Sequence, residues 1–319
     1  MDTRRSVRSD PLVTVAVVSW NTRALLERCL NALKPAADAG LAEVWVVDNA
    51  STDGSADAVR ARHPWARLIA STENLGYGRA VNLVAARTTT PWLAASNADV
   101  ALRPHALEAL LAAADADPGA GILAPRLILP DGSTQHSVWP FPTARVHVLA
   151  NLGPRLAPNT AGDRLALHGM WDADRPRRVP WAIGAFLLIR REAWDAIGGF
   201  DAGQWMSAED VDLGWRARAA GWATRYVPDA VADHDESAAT GQRWGDDLPI
   251  HWQRCSYSWM RRRIGRRRTA TVGLVNLAGA AARLVAYALT ARERVPQQRR
   301  WTLVHLYAFA PRRVLDRYR

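Results

Sequence analysis

The sequence predicts an α/β fold in which a mostly parallel central sheet is flanked by helices and followed by a helical C-terminal appendage. Short β-branched apolar runs alternate with segments of helical apolar spacing along residues 13–116. Polar residues cluster directly after several of these runs, and residues 261–319 combine arginine clusters with one long apolar segment. The alternation indicates βαβ units with right-handed crossovers, in which ligands bind beyond the carboxyl ends of the strands.

Length and composition are those of a folded globular chain. Of its 319 residues, 49% are hydrophobic and 23% charged, which suffices for one large domain or a domain with an appendage. Cys29 and Cys255 are the only cysteines, and they lie far apart in the sequence. A zinc finger or a disulfide framework is therefore not expected, and both thiols should be small buried groups in a reducing compartment.

The secondary-structure elements are predicted in chain order from apolar spacing. The β-branched run Val13–Ser19 is typical of a strand buried on both faces, and the helical spacing after it has Thr22 as its N-cap. The same reasoning predicts strands at 13–19, 43–48, 68–70, 92–96 and 183–189 with a short one at 226–227, and helices at 22–33, 55–62, 79–86, 104–116, after 189 and from 209. Residues 126–174 are rich in Pro, Gly and Trp, and we expect loops there that shape an acceptor site.

The first two strands end in polar clusters. Ser19-Trp-Asn21 follows the first, and Asp48-Asn49 opens the turn after the second. A carboxylate at the end of a buried strand can accept hydrogen bonds from a base edge or a ribose. The alternative is a turn whose Asp and Asn only cap the next helix.

Two further segments carry candidate ligand-binding groups. The first is Asn74-Leu-Gly76-Tyr-Gly78, where the glycines permit close approach of a ligand to the backbone. The helix that follows offers free N–H groups to an anion. The alternative is a plain loop-to-helix junction. Asp99, after the fourth strand, is suited to a hard divalent cation whose other ligands are diphosphate oxygens and water, or to capping a helix.

A cluster of acids begins the predicted helix at residue 209. Glu209, Asp210 and Asp212 give a charge density that a structural helix N-terminus seldom needs, so one of them is a candidate general base. His234 follows the short predicted strand at 226–227 and could join Asp99 on a metal, with a plain surface role as the alternative.

Taken in order, these segments resemble the family-2 inverting glycosyltransferases with a GT-A fold, and more narrowly their bacterial rhamnosyltransferase-like branch. The resemblance covers residues 12–240. Its motifs are Val17-Val-Ser-Trp-Asn21, Val47-Asp-Asn-Ala-Ser-Thr-Asp-Gly-Ser55, Asn74-Leu-Gly-Tyr-Gly78, Asn97-Ala-Asp99, Gly198-Gly-Phe-Asp201 and Glu209-Asp-Val-Asp-Leu213.

The resemblance implies roles for several site residues. Asp210 would be the catalytic base, Asp99 would hold Mg²⁺ or Mn²⁺, and Asp48 would contact the nucleoside, while Asn74, Gly76, Tyr77, Gly78 and Asn82 would line the nucleotide-sugar pocket. His234 is predicted beside Asp99 as a second metal ligand, and the other predicted substrate-binding positions are Ser19, Asn21, Asn49, Asn97, Trp181, Gly184 and Glu209. Asn97 replaces the first Asp of the commoner Asp-x-Asp metal motif, which puts direct metal ligation by residue 97 in doubt but not by Asp99.

The implied reaction is an inverting transfer of a sugar from a nucleotide diphosphate to an acceptor hydroxyl. Within the resemblance, the donor would be dTDP-rhamnose and the acceptor a glycan or polyprenyl-diphosphate-linked intermediate of the cell envelope. UDP-galactofuranose and UDP-N-acetylglucosamine are the alternative donors. A non-catalytic, membrane-associated scaffold with the same fold is the alternative from another class of protein.

Positive charge is concentrated in the C-terminal segment. Residues 261–319 hold 15 arginines against two acidic residues, a net of +13, whereas the whole chain has +10 and residues 1–260 therefore −3. The sequence predicts an N-terminal tail at 1–11, a catalytic domain at 12–260 and a basic amphipathic segment at 261–319. The apolar stretch 269–291 is broken by Asn276 and Arg283, which favours a helix lying on an anionic membrane surface over a spanning one, with packing onto the catalytic domain as the alternative.

The expected location is the cytoplasmic side of the membrane, with the protein bound peripherally. The run Val13–Trp20 after the arginine-containing N-terminus is too short and too strand-like for a signal peptide, so no export is expected. No nucleic-acid partner is expected, since no nucleic-acid-binding motif accompanies the basic segment. The sequence does not indicate an oligomeric state.

Overall fold

The computed structural model describes residues 10–152, 172–236 and 238–309. Most of the predicted N-terminal tail, part of the predicted acceptor loops and the end of the basic segment lie outside these residues. The strands are β1 Val13–Ser19, β2 Ala42–Asp48, β3 Arg67–Ala70, β4 Trp92–Asn97, β5 Val100–Leu102, β6 Ala120–Ile128, β7 Val138–Trp139, β8 Arg177–Val179, β9 Trp181–Ala182, β10 Phe186–Arg190 and β11 Ala223–His234. The helices are α1 Arg23–Asp38, α2 Ser55–Arg62, α3 Tyr77–Ala85, α4 Ala106–Ala116, α5 Ala144–Leu152, α6 Arg191–Ile197, α7 Glu209–Ala219, α8 Ala238–Trp244, α9 Leu248–Arg263, α10 Arg266–Thr290 and α11 Val295–Val304.

The central sheet has nine strands in the order β3-β2-β1-β4-β10-β6-β11-β5, with β8 also paired to β11. The first four strands in this order are parallel. Beyond them, β10 runs antiparallel to both neighbours, β6 and β11 are parallel, and β5 closes the sheet antiparallel to β11. The predicted α/β class with a largely parallel sheet is confirmed.

The core lies where the strand and helix patterns predict it. Val13, Val15 and Val17 of β1 are fully buried because β1 has a parallel strand on each side and helices over the sheet. Leu26 and Leu30 of α1, four residues apart, are buried in the same cluster. Each buried aliphatic side chain of this kind contributes about 1.5–3 kcal/mol to the hydrophobic stabilisation.

Several predicted bounds differ from the structure. The first helix starts after Thr22, as predicted, but continues through Pro35 to Asp38. The predicted strand at 226–227 is wrong in length: β11 has 12 residues, because a register shift between Val227 and Val231 accommodates Pro228 without ending the strand. The stretch expected to be irregular contains the end of β6, β7 and α5 in its described part.

The cysteines match the expectation in part. Cys29 is buried under the sheet, and burial, with the charge of Asp99 as a smaller cause, raises the pKa of its thiol to about 12. Cys255 is half-buried and is also a free thiol. Cys29 therefore serves as a small apolar group.

The chain divides into two compact units. The first consists of residues up to Val138 with Ala173–Trp205 and Glu209–Ala239; the second, of Trp139–Asp172, Met206–Ala208 and Thr240–Arg319. The predicted domain boundary at residue 260 falls inside α9, and the domain division stays a prediction.

Within the second unit, α10 directs its polar side chains inward. Asn276 accepts a hydrogen bond from Asn151 of α5 at 3.0 Å and donates one to the Tyr257 hydroxyl of α9 at 2.9 Å. Arg283 donates to Asn151 at 2.9 Å. By length and composition alone α10 could cross a membrane, a criterion that core helices of soluble proteins also meet. The two residues that interrupt its apolar sequence are thus satisfied inside the helical unit.

Candidate active site

The polar clusters predicted at the strand ends meet at one edge of the sheet. In the parallel register, Ser19 of β1 pairs with Asp48 of β2, and Val18 pairs with Asn97 of β4. Neighbouring strands lie about 4.8 Å apart, so Asp48 and Asn97 lie on opposite sides of the end of β1, roughly 10 Å from each other. This edge brings together residues that are far apart in the sequence.

Asp48 and Asn49 present buried acceptor oxygens. One carboxylate oxygen of Asp48 accepts a hydrogen bond from the Ser51 N–H at 3.2 Å; the other, and the side-chain oxygen of Asn49, have no hydrogen-bond partner among the described residues. A buried acceptor without a partner costs about 1–3 kcal/mol, so such atoms mark places that a ligand donor can fill. The N–H groups of a base and the hydroxyls of a ribose are donors of this kind.

Asp53, rather than Asp48, has the capping role considered for this turn. Its carboxylate accepts from the Arg23 N–H at 2.8 Å and from the Ser55 N–H at 3.0 Å, at the starts of α1 and α2. Asn21, with a φ of 53°, accepts from the Thr52 N–H at 2.8 Å and ties the two loops together. The buried Ser19 hydroxyl shares a hydrogen bond with Thr22 at 3.1 Å. These contacts hold the loops around Asp48, and none of them uses its unpartnered carboxylate oxygen.

Three residues of the segment 74–82 pack against residues 198–205. A Cβ on Gly76, whose φ is +78°, would lie 2.1 Å from the Trp205 carbonyl oxygen, and one on Gly78 would lie 2.9 Å from the Phe200 Cβ. Asn82 donates to the Phe200 carbonyl at 2.9 Å and accepts from the Phe200 N–H at 3.0 Å. The glycines and Asn82 therefore fix one loop against another, and their predicted contact with the donor stays a prediction, as does that of Asn74, which accepts from the Gly76 N–H.

Of the three acids at the start of α7, only Glu209 and Asp210 remain available for chemistry. Asp212 is fully buried and paired with Arg216 at 2.6 Å. Asp210 accepts hydrogen bonds from the Gly184 N–H at 3.2 Å and the Val211 N–H at 2.8 Å. One carboxylate oxygen of the buried Glu209 has no hydrogen-bond partner among the described residues.

Burial raises the pKa of the Glu209 carboxyl and that of the Asp210 carboxyl. The charge of Asp210 raises the pKa of Glu209 further. Burial and the charges of Glu209, Asp210 and Asp99 raise the pKa of the Tyr77 phenol well above its usual value. The charges of three acids from two separate segments thus act on one buried tyrosine. Raised carboxyl pKa values are typical of groups that exchange protons in catalysis.

Asp99 and His234 face each other in a buried pair. The antiparallel register of β5 and β11 opposes His234 to Val100, which places the imidazole beside Asp99. Its Nε2 lies 3.5 Å from Oδ1 of Asp99, an oxygen with no hydrogen-bond partner in the described part of the chain. Gln135 Oε1 lies 2.7 Å from Nδ1 of His234 and can only accept a hydrogen bond from it, so in the neutral ring the lone pair is on Nε2, which faces the carboxylate.

This arrangement fits a divalent cation. Two ligands at 2.0–2.2 Å from one ion and about 90° apart lie about 3 Å from each other, close to the observed spacing. A lone pair facing a buried, unpaired carboxylate oxygen is unfavourable unless a cation or proton lies between them. The described residues hold no group of three or more metal-ligating side chains, so water or substrate oxygens would complete the coordination.

The remaining predicted residues are placed as follows. Gly184 bridges Tyr77 and Asp210: its carbonyl accepts from the Tyr77 hydroxyl at 2.7 Å. Trp181, in β9, is half-buried and packs closely on Gly214 of α7. Asn97 donates its backbone N–H to the Ala185 carbonyl at 2.9 Å. Substrate contact by these residues remains a prediction.

Sequence reasoning missed Gln135. It lies in the stretch that was expected to form acceptor loops, yet it is buried and oriented toward His234. A single Gln at the end of a polar loop gives no local signal. Only the pairing of β11 with its neighbours brings the two residues together.

Comparison with known proteins gives consistent results. Residues 14–145 match the family described as glycosyl transferase family 2, and residues 92–318 match glycosyl transferase family group 2. The chain is 36% identical over 252 residues to the N-acetylglucosaminyl-diphospho-decaprenol L-rhamnosyltransferase of Mycobacterium tuberculosis, covering 75% of this chain and 81% of that one.

Two solved structures share the fold. The mannosyltransferase PcManGT from Pyrobaculum calidifontis, in complex with GDP-Man and Mn²⁺, aligns with a TM-score of 0.58 and 21% identity over 94% of this chain and 86% of that one. GalNAc-T7 with UDP, GalNAc and Mn²⁺ aligns with a TM-score of 0.54 and 14% identity over 76% of this chain and 50% of that one. The fold is that of GT-A glycosyltransferases, and with the sequence matches above, the chain belongs to glycosyltransferase family 2.

Proposed function

We propose that this chain is a metal-dependent, inverting rhamnosyltransferase that acts on a polyprenyl-diphosphate-linked sugar. The proposal rests on one observation above all: Asp99 faces His234 in a buried pair at 3.5 Å, and the charges of both Asp99 and Asp210 act on the same buried phenol of Tyr77. Groups suited to metal binding and to acid-base chemistry therefore lie within electrostatic range of one buried side chain. The 36% identity to an enzyme named for L-rhamnosyl transfer supports the choice of sugar and acceptor class.

Asp210 is assigned as the general base. In the transfer, the acceptor hydroxyl oxygen forms a bond to the anomeric carbon, the bond from that carbon to the diphosphate oxygen breaks, and the hydroxyl proton passes to the Asp210 carboxylate. Hydrogen bonds from Gly184 and Val211 orient the carboxylate, and burial raises its pKa toward that of an effective base. A single displacement inverts the configuration at the anomeric carbon.

Asp99 and His234 are assigned to hold Mg²⁺ or Mn²⁺. When bound, the cation would neutralise the negative charge that develops on the departing diphosphate. Gln135 fixes the His234 ring and its tautomer, a supporting role that typically changes metal affinity 10–100-fold. The structures of two proteins with the same fold contain Mn²⁺, which supports a divalent cation in this fold.

Asp48 and Asn49 are assigned to the nucleoside of the donor. Their unpartnered buried oxygens match the donors of a base and a ribose. The nucleotide would be dTDP with L-rhamnose as the sugar; UDP-galactofuranose and UDP-N-acetylglucosamine remain the alternative donors.

A donor screen tests this function. Thermal unfolding is measured with dTDP-, UDP- and GDP-sugars, each with Mg²⁺, Mn²⁺ or EDTA, since a ligand that binds only the folded state raises the unfolding temperature. We expect dTDP-rhamnose with a divalent cation to give the largest shift. A larger shift with a UDP-sugar would reassign the donor, and no shift with any of them would favour the scaffold alternative.

The second unit is assigned to the anionic, cytoplasmic surface of the membrane, with the protein bound peripherally. Between Thr271 and Thr290, a stretch that the structure describes in full, no exposed position of α10 carries a charge, and Leu274, Val285 and Leu289 are 58%, 63% and 82% exposed. Exposed arginines precede this face at 266–268 and follow it at 292 and 294. An apolar helix face with basic residues at both ends is typical of helices that lie in the headgroup region.

A further inference from the structure

Tyr77 lies at the start of α3, outside the segments that carry the proposed base and metal ligands. Its side chain is only 5% exposed, and its ring packs edge-on against Phe200, with centroids 5.6 Å apart. The hydroxyl donates a hydrogen bond to the Gly184 carbonyl at 2.7 Å. A buried phenol usually needs such a partner, so this contact alone is compatible with a purely structural role.

Gly184 connects this hydroxyl to the proposed base. The backbone N–H of the same residue donates to Oδ2 of Asp210 at 3.2 Å. The Gly184 carbonyl and N–H belong to two peptide planes that meet at one Cα, and the φ and ψ angles of a glycine are both soft. The bond from Tyr77 anchors one of these planes, so it restricts a flexible junction and helps to keep the Gly184 N–H directed at Asp210. Asp210 also accepts from the Val211 N–H and from its own N–H, so the Gly184 bond is the backbone contact that comes from outside its own helix.

We propose that Tyr77 is a positioning residue for the general base, acting through the Gly184 peptide rather than by contact with the donor sugar. This inference rests on the proposed function of Asp210. It differs from the donor-pocket role that the sequence resemblance implies for Tyr77 and from the substrate-binding role predicted for Gly184. The Tyr77 hydroxyl holds the Gly184 carbonyl, and the Gly184 N–H in turn holds the Asp210 carboxylate in one orientation.

The hydrogen bond from Gly184 also favours the charged form of Asp210 and so lowers its pKa against the larger effect of burial. The other titratable groups that act here are Glu209 on the same helix, Asp99 after β4 and the Tyr77 phenol itself. A Tyr77→Phe substitution leaves both acids in place. Loosening the Gly184 peptide should therefore raise the pKa of Asp210 and reduce the fraction of correctly oriented base.

The test compares Tyr77→Phe with a matched control. Tyr226→Phe removes the hydroxyl of another buried tyrosine in the same unit, which lies on β11 and donates to the Ala173 carbonyl at 2.9 Å. For each full-length protein, kcat and KM for donor and acceptor are measured against pH, with the unfolding temperature as a check of folding. Asp210→Asn is measured in the same assay to test the base assignment itself.

We expect Tyr77→Phe to lower kcat by about tenfold, a fraction of the 10²–10⁴ that a general base supplies, and to move the acidic limb of the pH profile to higher pH. The donor KM should change less than threefold, and Tyr226→Phe should keep the wild-type limb. An unchanged limb with a raised donor KM would overturn the proposal in favour of donor contact, and a loss of stability alone would reduce Tyr77 to a structural role.

Two further measurements separate the possible failures. If Asp210→Asn keeps near-normal transfer, the base assignment fails whatever Tyr77→Phe does. If Tyr77→Phe does not fold, Asp210→Glu offers an independent route, since it keeps a carboxylate but displaces it from the Gly184 N–H. Its acidic limb should move to higher pH by clearly more than the roughly 0.4 units by which a free glutamate exceeds a free aspartate, and a smaller shift with full kcat would contradict the role of the Gly184 bond.

Discussion

At the scale of single residues, the central assignment is that of Asp210 as the general base. Replacing it by Asn keeps its size and one acceptor oxygen for the two backbone N–H groups, but removes the proton acceptor. We expect transfer to fall by about 10²–10⁴-fold, with donor binding changed by no more than a few-fold, because a base acts on the acceptor hydroxyl. The measurement compares transfer rates and donor affinities of the wild type, Asp210→Asn and Glu209→Gln. If Asp210→Asn transferred sugar at a normal rate and Glu209→Gln did not, Glu209 would be the base.

The pH dependence follows from the same buried acids. A base must be unprotonated to act, so kcat/KM should rise with pH through the pKa of Asp210. Because burial raises that pKa, the acidic limb should lie above the usual range of an aspartate. Asp210→Asn should remove the limb together with the activity. An acidic limb at the ordinary pKa of an aspartate would contradict the claim that burial raises the pKa of Asp210.

Asp99 can be tested through metal binding as well as through activity. Asp99→Ala should abolish measurable Mn²⁺ binding in the presence of the nucleotide, and His234→Ala should weaken it, because these two groups are the assigned protein ligands. Asp233→Ala is the matched control, since its carboxylate lies one residue from His234 but pairs with Arg103 at the surface. Titration calorimetry measures each protein. Full activity of the Asp99 variant in EDTA would exclude the metal site.

At the scale of elements, the loop–helix packing around α3 predicts a stability effect. Asn82→Ala removes two hydrogen bonds to the Phe200 backbone and should lower the free energy of unfolding by about 1–3 kcal/mol. Asn31→Ala, on an exposed position of α1, makes the same chemical change in a helix without these contacts. Urea unfolding of both variants separates the effects. If Asn82→Ala were as stable as Asn31→Ala and only its donor KM were raised, the donor-contact role that the sequence predicts for Asn82 would be restored.

The elements also show which parts of the fold can be predicted from sequence patterns. Buried parallel strands such as β1 and β2 are uniform β-branched runs, so their existence and order could be predicted. The length of β11 could not, because Pro228 reads as a strand end and only the register shift against β6 shows that pairing continues past it. The link between Tyr77, Gly184 and Asp210 joins residues more than 100 positions apart, and no local pattern encodes it.

At the scale of the whole molecule, the structure changes how membrane binding should be tested. Removing residues 261–319 would cut α9 and break the hydrogen bond between Tyr257 and Asn276. Charge reversal in the intact chain is cleaner. Each surface-proximal arginine contributes about 1 kcal/mol on an anionic membrane, so replacing Arg266, Arg267 and Arg268 by Glu should release the protein from anionic vesicles.

Leu289→Asp should reduce the part of the binding that persists at high salt, which depends on apolar burial rather than on charge. Arg60→Glu, on the exposed surface of α2, is the control and should bind as the wild type does. Co-sedimentation with anionic and neutral vesicles at low and high salt measures both contributions. Equal sedimentation of all variants would show that the α10 face does not contact lipid.

The candidate site was predictable at this scale to the extent that motifs mark strand ends. The resemblance proposes roles for Asp48 and Asp99, and the central sheet brings the strands that precede them together. It could not separate residues that contact a ligand from residues that position other side chains. Tyr77 lies inside one of the motifs and Gln135 in none of them, and their contacts with Gly184 and His234 are visible only in the structure.

The most direct test of the account is the transfer reaction itself, followed to the configuration of its product. Purified protein is incubated with dTDP-β-L-rhamnose, Mg²⁺ or Mn²⁺ and an N-acetylglucosaminyl-diphospho-polyprenol acceptor, and the anomeric configuration of the product is determined by NMR. We expect one rhamnosyl residue on the acceptor in the α configuration, dependent on the cation and absent with Asp210→Asn. A product with retained β configuration, or transfer that proceeds fully without a cation and without Asp210, would contradict the proposed mechanism.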